Sequence, residues 1–146
     1  MRIAAVYDIH GNLPALDAVL EDILQAHVDL LIVGGDVLPG PMPVETMERL
    51  LHLTIPAQFI LGNGDREVLA VRRGTETDGL PEQAREAVQW VAQQLRAKDE
   101  EFLASWLTTL HLSVDGLGGV LFCHATPRDD VEIFTRLTPP ERLLPV

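Results

Sequence analysis

The sequence predicts an α/β fold built on a parallel sheet. Three short apolar runs, at residues 3–7, 30–33 and 58–61, each stop abruptly at Gly, Asp or Asn. Stretches with helical spacing separate them. Strand, helix, strand, helix, strand in that order, with apolar strands, pairs in parallel through right-handed crossovers.

The elements follow in turn. The first strand, residues 3–7, ends in Asp8-Ile9-His10-Gly11-Asn12. Asn12 is suited to cap a helix and Pro14 to its first turn. Leu13, Leu16, Val19, Leu20, Ile23 and Leu24 then form a helical stripe. The second strand closes in Gly34-Gly35-Asp36. Residues 37–43 hold three Pro and one Gly and read as a loop, and 44–53 fit a second helix. The third strand, 58–61, ends in Gly62-Asn63-Gly64-Asp65, which reads as a turn. A short helix is expected over 66–73, a polar link over 74–79, and a longer helix over 81–95, with Ala84, Ala87, Val88, Val91 and Leu95 on one face. Another helix is expected over 100–110. Residues 112–114 and 119–123 suggest a hairpin about Asp115-Gly116, closed by His124. Residues 125–146 carry four Pro and no period, and read as a tail. One domain over 1–146 is expected, with 66–110 as a helical, cap-like insertion.

Composition narrows the function classes. The chain has 146 residues and a formal net charge of −11, from 11 Lys and Arg against 22 Asp and Glu. That balance argues against a nucleic-acid-binding surface, because phosphate backbones reward clustered cations. An apolar share of 47% argues against disorder. A single cysteine, Cys123, excludes an internal disulfide and a multi-thiolate zinc site. No run has the length of a signal-peptide core or a membrane span, so the expected location is cytoplasmic. Residues 1–65 hold nine carboxylates against Arg2 and Arg49, net −7, whereas 66–146 hold thirteen against nine cations, net −4. The excess negative charge falls in the half that carries most of the strand-end motifs.

Those strand ends are the informative part. They read Asp8-x-His10, Gly35-Asp36, Gly62-Asn63 and His124. Open α/β sheets bind ligands at the carboxyl ends of their strands. Each residue alone has a bland explanation. Asp8 could be a helix cap, Asp36 and Asn63 turn residues, and His124 a core histidine. Together they require every strand to stop at a metal-ligating type. Two carboxylates, two imidazoles and an amide oxygen suit Mn, Fe, Zn or Ni better than Ca or a thiolate-selected metal.

Asp8-Ile9-His10-Gly11-Asn12, Gly35-Asp36-Val37-Leu38-Pro39-Gly40, Gly62-Asn63-Gly64-Asp65-Arg66-Glu67 and His124-Ala125-Thr126-Pro127 resemble, in order, the motifs of the calcineurin-like metallophosphoesterases, above all the small bacterial members. The resemblance implies a four-layer αββα sandwich holding two divalent metal ions. Asp8 and His10 would bind the first, Asp36 would bridge, and Asn63 and His124 would bind the second. These five would also be the catalytic set. Asn12, Asn63 and Arg66 are the candidates for holding a small phosphorylated substrate, although a solvated helix face explains Arg66 equally well. The implied reaction is hydrolysis of a phosphomonoester or phosphodiester by a metal-bridging hydroxide.

Two departures from the family pattern bear on this. Many members carry a histidine, which helps protonate the leaving group, where this chain has Gly64. The family also ends in Gly-His-x-His, and no histidine follows His124 here. His27, His52 and His111 read as surface or core residues. Each metal would then lack one protein ligand, and the sandwich is expected to be C-terminally incomplete with an unpaired sheet edge. Either the chain is a shortened product or it pairs with a second copy through that edge. The competing reading is a non-catalytic metal- or phosphate-binding remnant of the same fold. Cys123 should point to the opposite face of its strand from His124, into the interior.

Overall fold

The computed structural model describes residues 1–75 and 80–143. Most of the expected polar link, residues 76–79, and the last three residues of the tail lie outside them. Strands β1 (Ile3–Val6), β2 (Leu30–Val33) and β3 (Ala57–Phe59) form a parallel sheet in that order. Ala4 stands opposite Leu31, and Leu31 opposite Ala57, so the three carboxyl ends meet at one edge. Helix α1 (Leu13–Gln25) links β1 to β2, and α2 (Pro43–Leu51) links β2 to β3. As the sequence suggests, the Asn12 side chain caps α1, accepting from the Ala15 N–H at 3.2 Å. Leu16, Leu20 and Ile23 turn inward from it.

The sheet is covered on both faces because β2 is apolar on both. Leu31 and Val33 pack with Leu16, Leu20, Met47, Leu50, Val68 and the helices that follow. Ile32 faces the other way and meets Ile60 and Leu110. The second covering layer is the expected hairpin, β4 (Thr109–Val114) with β5 (Gly118–Cys123). Leu110 stands opposite Phe122, and both join the Ile32 cluster, while His111 opposite Leu121 is exposed. Helices, parallel sheet and second sheet are thus stacked as a mixed α/β sandwich. Among the described residues the second sheet holds β4 and β5 alone, so the unpaired edge expected from the sequence lies along this hairpin.

Three stretches differ from expectation. Helix α3 (Asn63–Arg72) begins inside the segment that spells a turn. The Asp65 carboxylate accepts from the Gly62 N–H at 3.0 Å and caps the helix from within. Helix α5 (Ala97–Ala104), which follows α4 (Glu82–Gln94), starts earlier and stops earlier than predicted. Asp99 caps it through the Arg96 N–H at 2.9 Å. The chain beyond it is drawn out along β3, where Leu107 donates to Phe59 O at 3.1 Å and accepts from Leu61 N at 2.7 Å. Val88, Val91, Ala92, Leu95, Leu103 and Trp106, all from the 66–110 segment, are buried in the helix-side core. The tail is also more ordered than its composition suggests. Thr126 and Asp129 exchange backbone hydrogen bonds at 3.1 and 3.3 Å, and α6 (Pro140–Leu143) forms a single turn.

Candidate metal centre

Asp8 and His10 follow β1, Asp36 follows β2, Asn63 opens α3 just after β3, and His124 follows β5. The loops that present them are laced together. Asp8 N–H donates to Gly35 O at 3.1 Å, His10 N–H to Asp36 O at 3.0 Å, and Gly11 N–H to Val37 O at 2.8 Å. Asp8, His10 and Asp36 have φ of 54°, 46° and 52°. That left-handed region is uncommon for any residue but glycine and costs on the order of 1 kcal/mol or more each. Strain of this kind gathers at functional sites, and here it falls on three candidate ligands. Gly35, at φ 100°, lets the strand ends close up: a Cβ there would lie 2.7 Å from His124 Nδ1 and 2.8 Å from the Gly62 backbone.

The two imidazoles are oriented alike. His10 Nδ1 lies 3.2 Å from Pro39 O, and His124 Nδ1 lies 3.0 Å from Gly34 O. A carbonyl only accepts, so Nδ1 carries a proton in each ring, and Nε2 is the nitrogen turned toward the site. That is the arrangement a metal-binding imidazole requires. His10 Nε2 points at Asp8 Oδ1 (3.9 Å) and Asp36 Oδ2 (3.8 Å). His124 Nε2 points at the other Asp36 oxygen, Oδ1, at 3.6 Å. Asp36, which is buried, therefore stands between the rings with one oxygen toward each, and Oδ1 also accepts from Gly64 N at 2.8 Å. Ligand atoms of Asp8, His10 and Asp36 lie within 4.8 Å of one another.

Asn63 completes the second side. Its amide is 3.2 Å from His124 Nε2. With the amide nitrogen toward His124 and toward Asp130 O (3.1 Å), both acceptors are satisfied and the amide oxygen accepts from Gly64 N at 3.2 Å. Ligation through oxygen requires the opposite amide orientation. The donor set fits divalent cations: both Nε2 atoms are aimed inward, each ring is fixed from behind by a carbonyl, and two carboxylates face them. A cavity of about 330 Å³ opens over Asp8, Asp36, Asn63 and His124, walled on its far side by Asp130 to Ile133.

The remaining candidates sort by contact. Asn12 spends its side-chain oxygen on capping α1, beside Asp8 in a neighbouring hollow. Arg66 is held by Asp130, Nε to Oδ2 at 2.7 Å and Nη2 to Oδ1 at 3.1 Å. His27, His52 and His111 are exposed, and none lines the cavity. Cys123 is half-buried, and burial pushes its thiol up from its usual value. Asp130 and Glu132 had no helical or strand pattern to mark them. The one sequence signal is their place within eight residues after His124.

Asp65 is fully buried, accepting from Leu38 N at 2.8 Å and Gly62 N at 3.0 Å. Burial pushes its carboxyl up to about 7 against those two N–H groups. Because the folded chain then holds this proton more tightly than the unfolded chain, the contribution of Asp65 to stability is full below about pH 4 and is lost as pH rises toward 7. The urea midpoint of the metal-free protein, compared with that of Asp65→Asn, should show this loss only in the parent. Parallel pH profiles for the two would remove Asp65 as its source.

The family model for calcineurin-like phosphoesterases matches residues 1–144. Uncharacterized protein MJ0912 of Methanocaldococcus jannaschii is 32% identical over 94% of this chain and 54% of its own length. A metallophosphoesterase from Sphaerobacter thermophilus superposes with a TM-score of 0.65 at 32% identity, over 92% of this chain and 51% of that one. Hypothetical protein PH1004 from Pyrococcus horikoshii OT3 shares the fold at a TM-score of 0.81 and 19% identity, over 97% of this chain and 62% of that one. The chain spans about half the length, or less, of the curated relatives it matches. With the motifs in order, their side chains gathered at one sheet edge and the match running through nearly every residue, the chain belongs to the calcineurin-like phosphoesterase family.

Proposed function

We propose that this chain carries the metal centre of a phosphoester hydrolase acting on a small phosphomonoester or phosphodiester. The observation that carries the reading is Asp36, a buried carboxylate whose two oxygens each face the free Nε2 of a different imidazole. Asp8, His10 and Asp36 would hold one divalent cation, and Asp36, Asn63 and His124 a second, with Mn, Fe, Zn and Ni all suited to the donors. Bound there, such cations lower the pKa of water and offset charge on phosphoryl oxygens. The chain's own contribution is to hold the donors before any ligand arrives. Pro39 O and Gly34 O fix the two rings, and Gly64 N fixes Asp36. The 66–110 segment bears on substrate choice through its two ends, since Arg66 and the Thr108–Thr109 pair line a second hollow beside His124.

Equilibrium dialysis against Mn²⁺, with hydrolysis of an aryl phosphodiester measured in parallel, tests the proposal. Two ions per chain with turnover are expected. One weakly held ion and no turnover in excess Mn²⁺ would favour the non-catalytic reading instead.

A further inference from the structure

We propose that Asp130 is an internal stand-in for the substrate's phosphoryl group, holding the Arg66 guanidinium in the free chain and releasing it when a phosphate enters. This rests on the phosphoesterase reading above. The Arg66 fork meets both oxygens of Asp130, at 2.7 and 3.1 Å. A carboxylate and a phosphate offer a guanidinium the same pair of oxygens, so one can replace the other in place. The pair is where an exchange would matter. Asp130 lines the cavity over Asp8, Asp36, Asn63 and His124, and it shares the adjoining hollow with Arg66 and His124. Arg66 lies three residues beyond Asn63 on α3, on the same side of the helix.

Three features make the pair exchangeable rather than structural. Both side chains stay partly in water, at 49% and 32% exposure, where an ion pair is worth little. The loop that carries Asp130 is held without Arg66: Thr126 and Asp129 bond through their backbones, Val131 N donates to Asp129 Oδ1 at 2.9 Å, and Arg128 Nε donates to Glu132 Oε2 at 2.7 Å. The acidic side chains facing the cavity are Asp8, Asp36, Asp130 and Glu132, and Glu132 already occupies Arg128. An entering dianion therefore finds its cationic partner at the border with the adjoining hollow, by taking Arg66 from Asp130, whose carboxylate turns to water. Asp130 acts through Arg66, as a positioning residue that competes with the substrate and sets its affinity.

Calorimetric titration of inorganic phosphate into the Mn²⁺-loaded chain tests this, with Mn²⁺ affinity measured separately for each variant. Asp130→Asn and Asp130→Ser should each bind phosphate about fivefold more tightly, the upper range for an exposed pair. Arg66→Ala should bind it more weakly, and adding Asp130→Asn to Arg66→Ala should change nothing further. Unchanged or weaker phosphate binding in the Asp130 variants, with Mn²⁺ held normally, would overturn the exchange and leave Asp130 as a wall contact. Tightening that persists without Arg66 would overturn it as well. Failure of every variant and the parent to bind Mn²⁺ would instead sink the metal centre, and the exchange with it.

Discussion

If Asp36 bridges two ions as proposed, Asp36→Asn is expected to abolish two-metal binding and to cut hydrolysis of an aryl phosphodiester about a thousandfold or more, since a bridging carboxylate would serve both ions and several kcal/mol of charge stabilisation would go with it. The substitution is nearly isosteric. The Asn oxygen can still accept from Gly64 N, now 2.8 Å from Asp36 Oδ1, so the start of α3 keeps its tie to the loop after β2. What changes is the side toward His10. There an NH₂ group would replace Oδ2, 3.8 Å from Nε2, and would donate to the lone pair a cation needs. Circular dichroism should therefore match the parent while metal stoichiometry and turnover collapse. Two bound ions with turnover within tenfold of the parent would remove Asp36 from the centre of the site.

Much of this site was legible because it is written at strand ends. A buried parallel strand is a run of apolar residues, and where the run stops the backbone has reached the sheet edge. Asp8 and Asp36 can be placed there by counting, and His124 likewise at the end of the antiparallel strand β5, with no knowledge of which strands pair. Asn63 follows from the same rule, but its surroundings do not. Gly62-Asn63-Gly64-Asp65 is good turn chemistry, and only burial of Asp65 against Leu38 N and Gly62 N makes it the first turn of a helix. The early end of α5 has a similar cause. Residues 100–110 have acceptable helical spacing, yet Leu107 is taken by Phe59 and Leu61 of the sheet. Arg66 was visible, but its partner was not, because Asp130 lies 64 residues away in a stretch with no period. Short-range pattern is readable in one sequence. Pairing across that distance depends on how the elements fold back, and no local signal records it.

Gly64 carries the second large effect. Esters with poor alkoxide leaving groups should react far more slowly than aryl esters, because the position that supplies a proton donor in many family members has no side chain. A missing general acid typically forfeits about a hundredfold to ten-thousandfold. Asp65 cannot substitute: its carboxyl is fully buried and engaged by two backbone N–H groups. Restoring the histidine should not repair the defect. A Cβ at position 64 would lie 2.4 Å from Leu38 O, 3.0 Å from Pro39 Cδ and 3.2 Å from Asp36 Oδ1. All three neighbours belong to the loop after β2, and one of them is the candidate bridging ligand, so any shift that relieves the contact disturbs the candidate metal centre. Gly64→His should thus lose about 1–3 kcal/mol of stability, as overpacking generally does, and gain nothing on alkyl esters. Rates for a series of esters graded by leaving-group acidity, with urea melts of both proteins, decide the matter. A flat series in the parent would mean that a proton donor is present after all. A stable Gly64→His that selectively accelerates alkyl esters would mean that the loop after β2 yields where its packing says it should not.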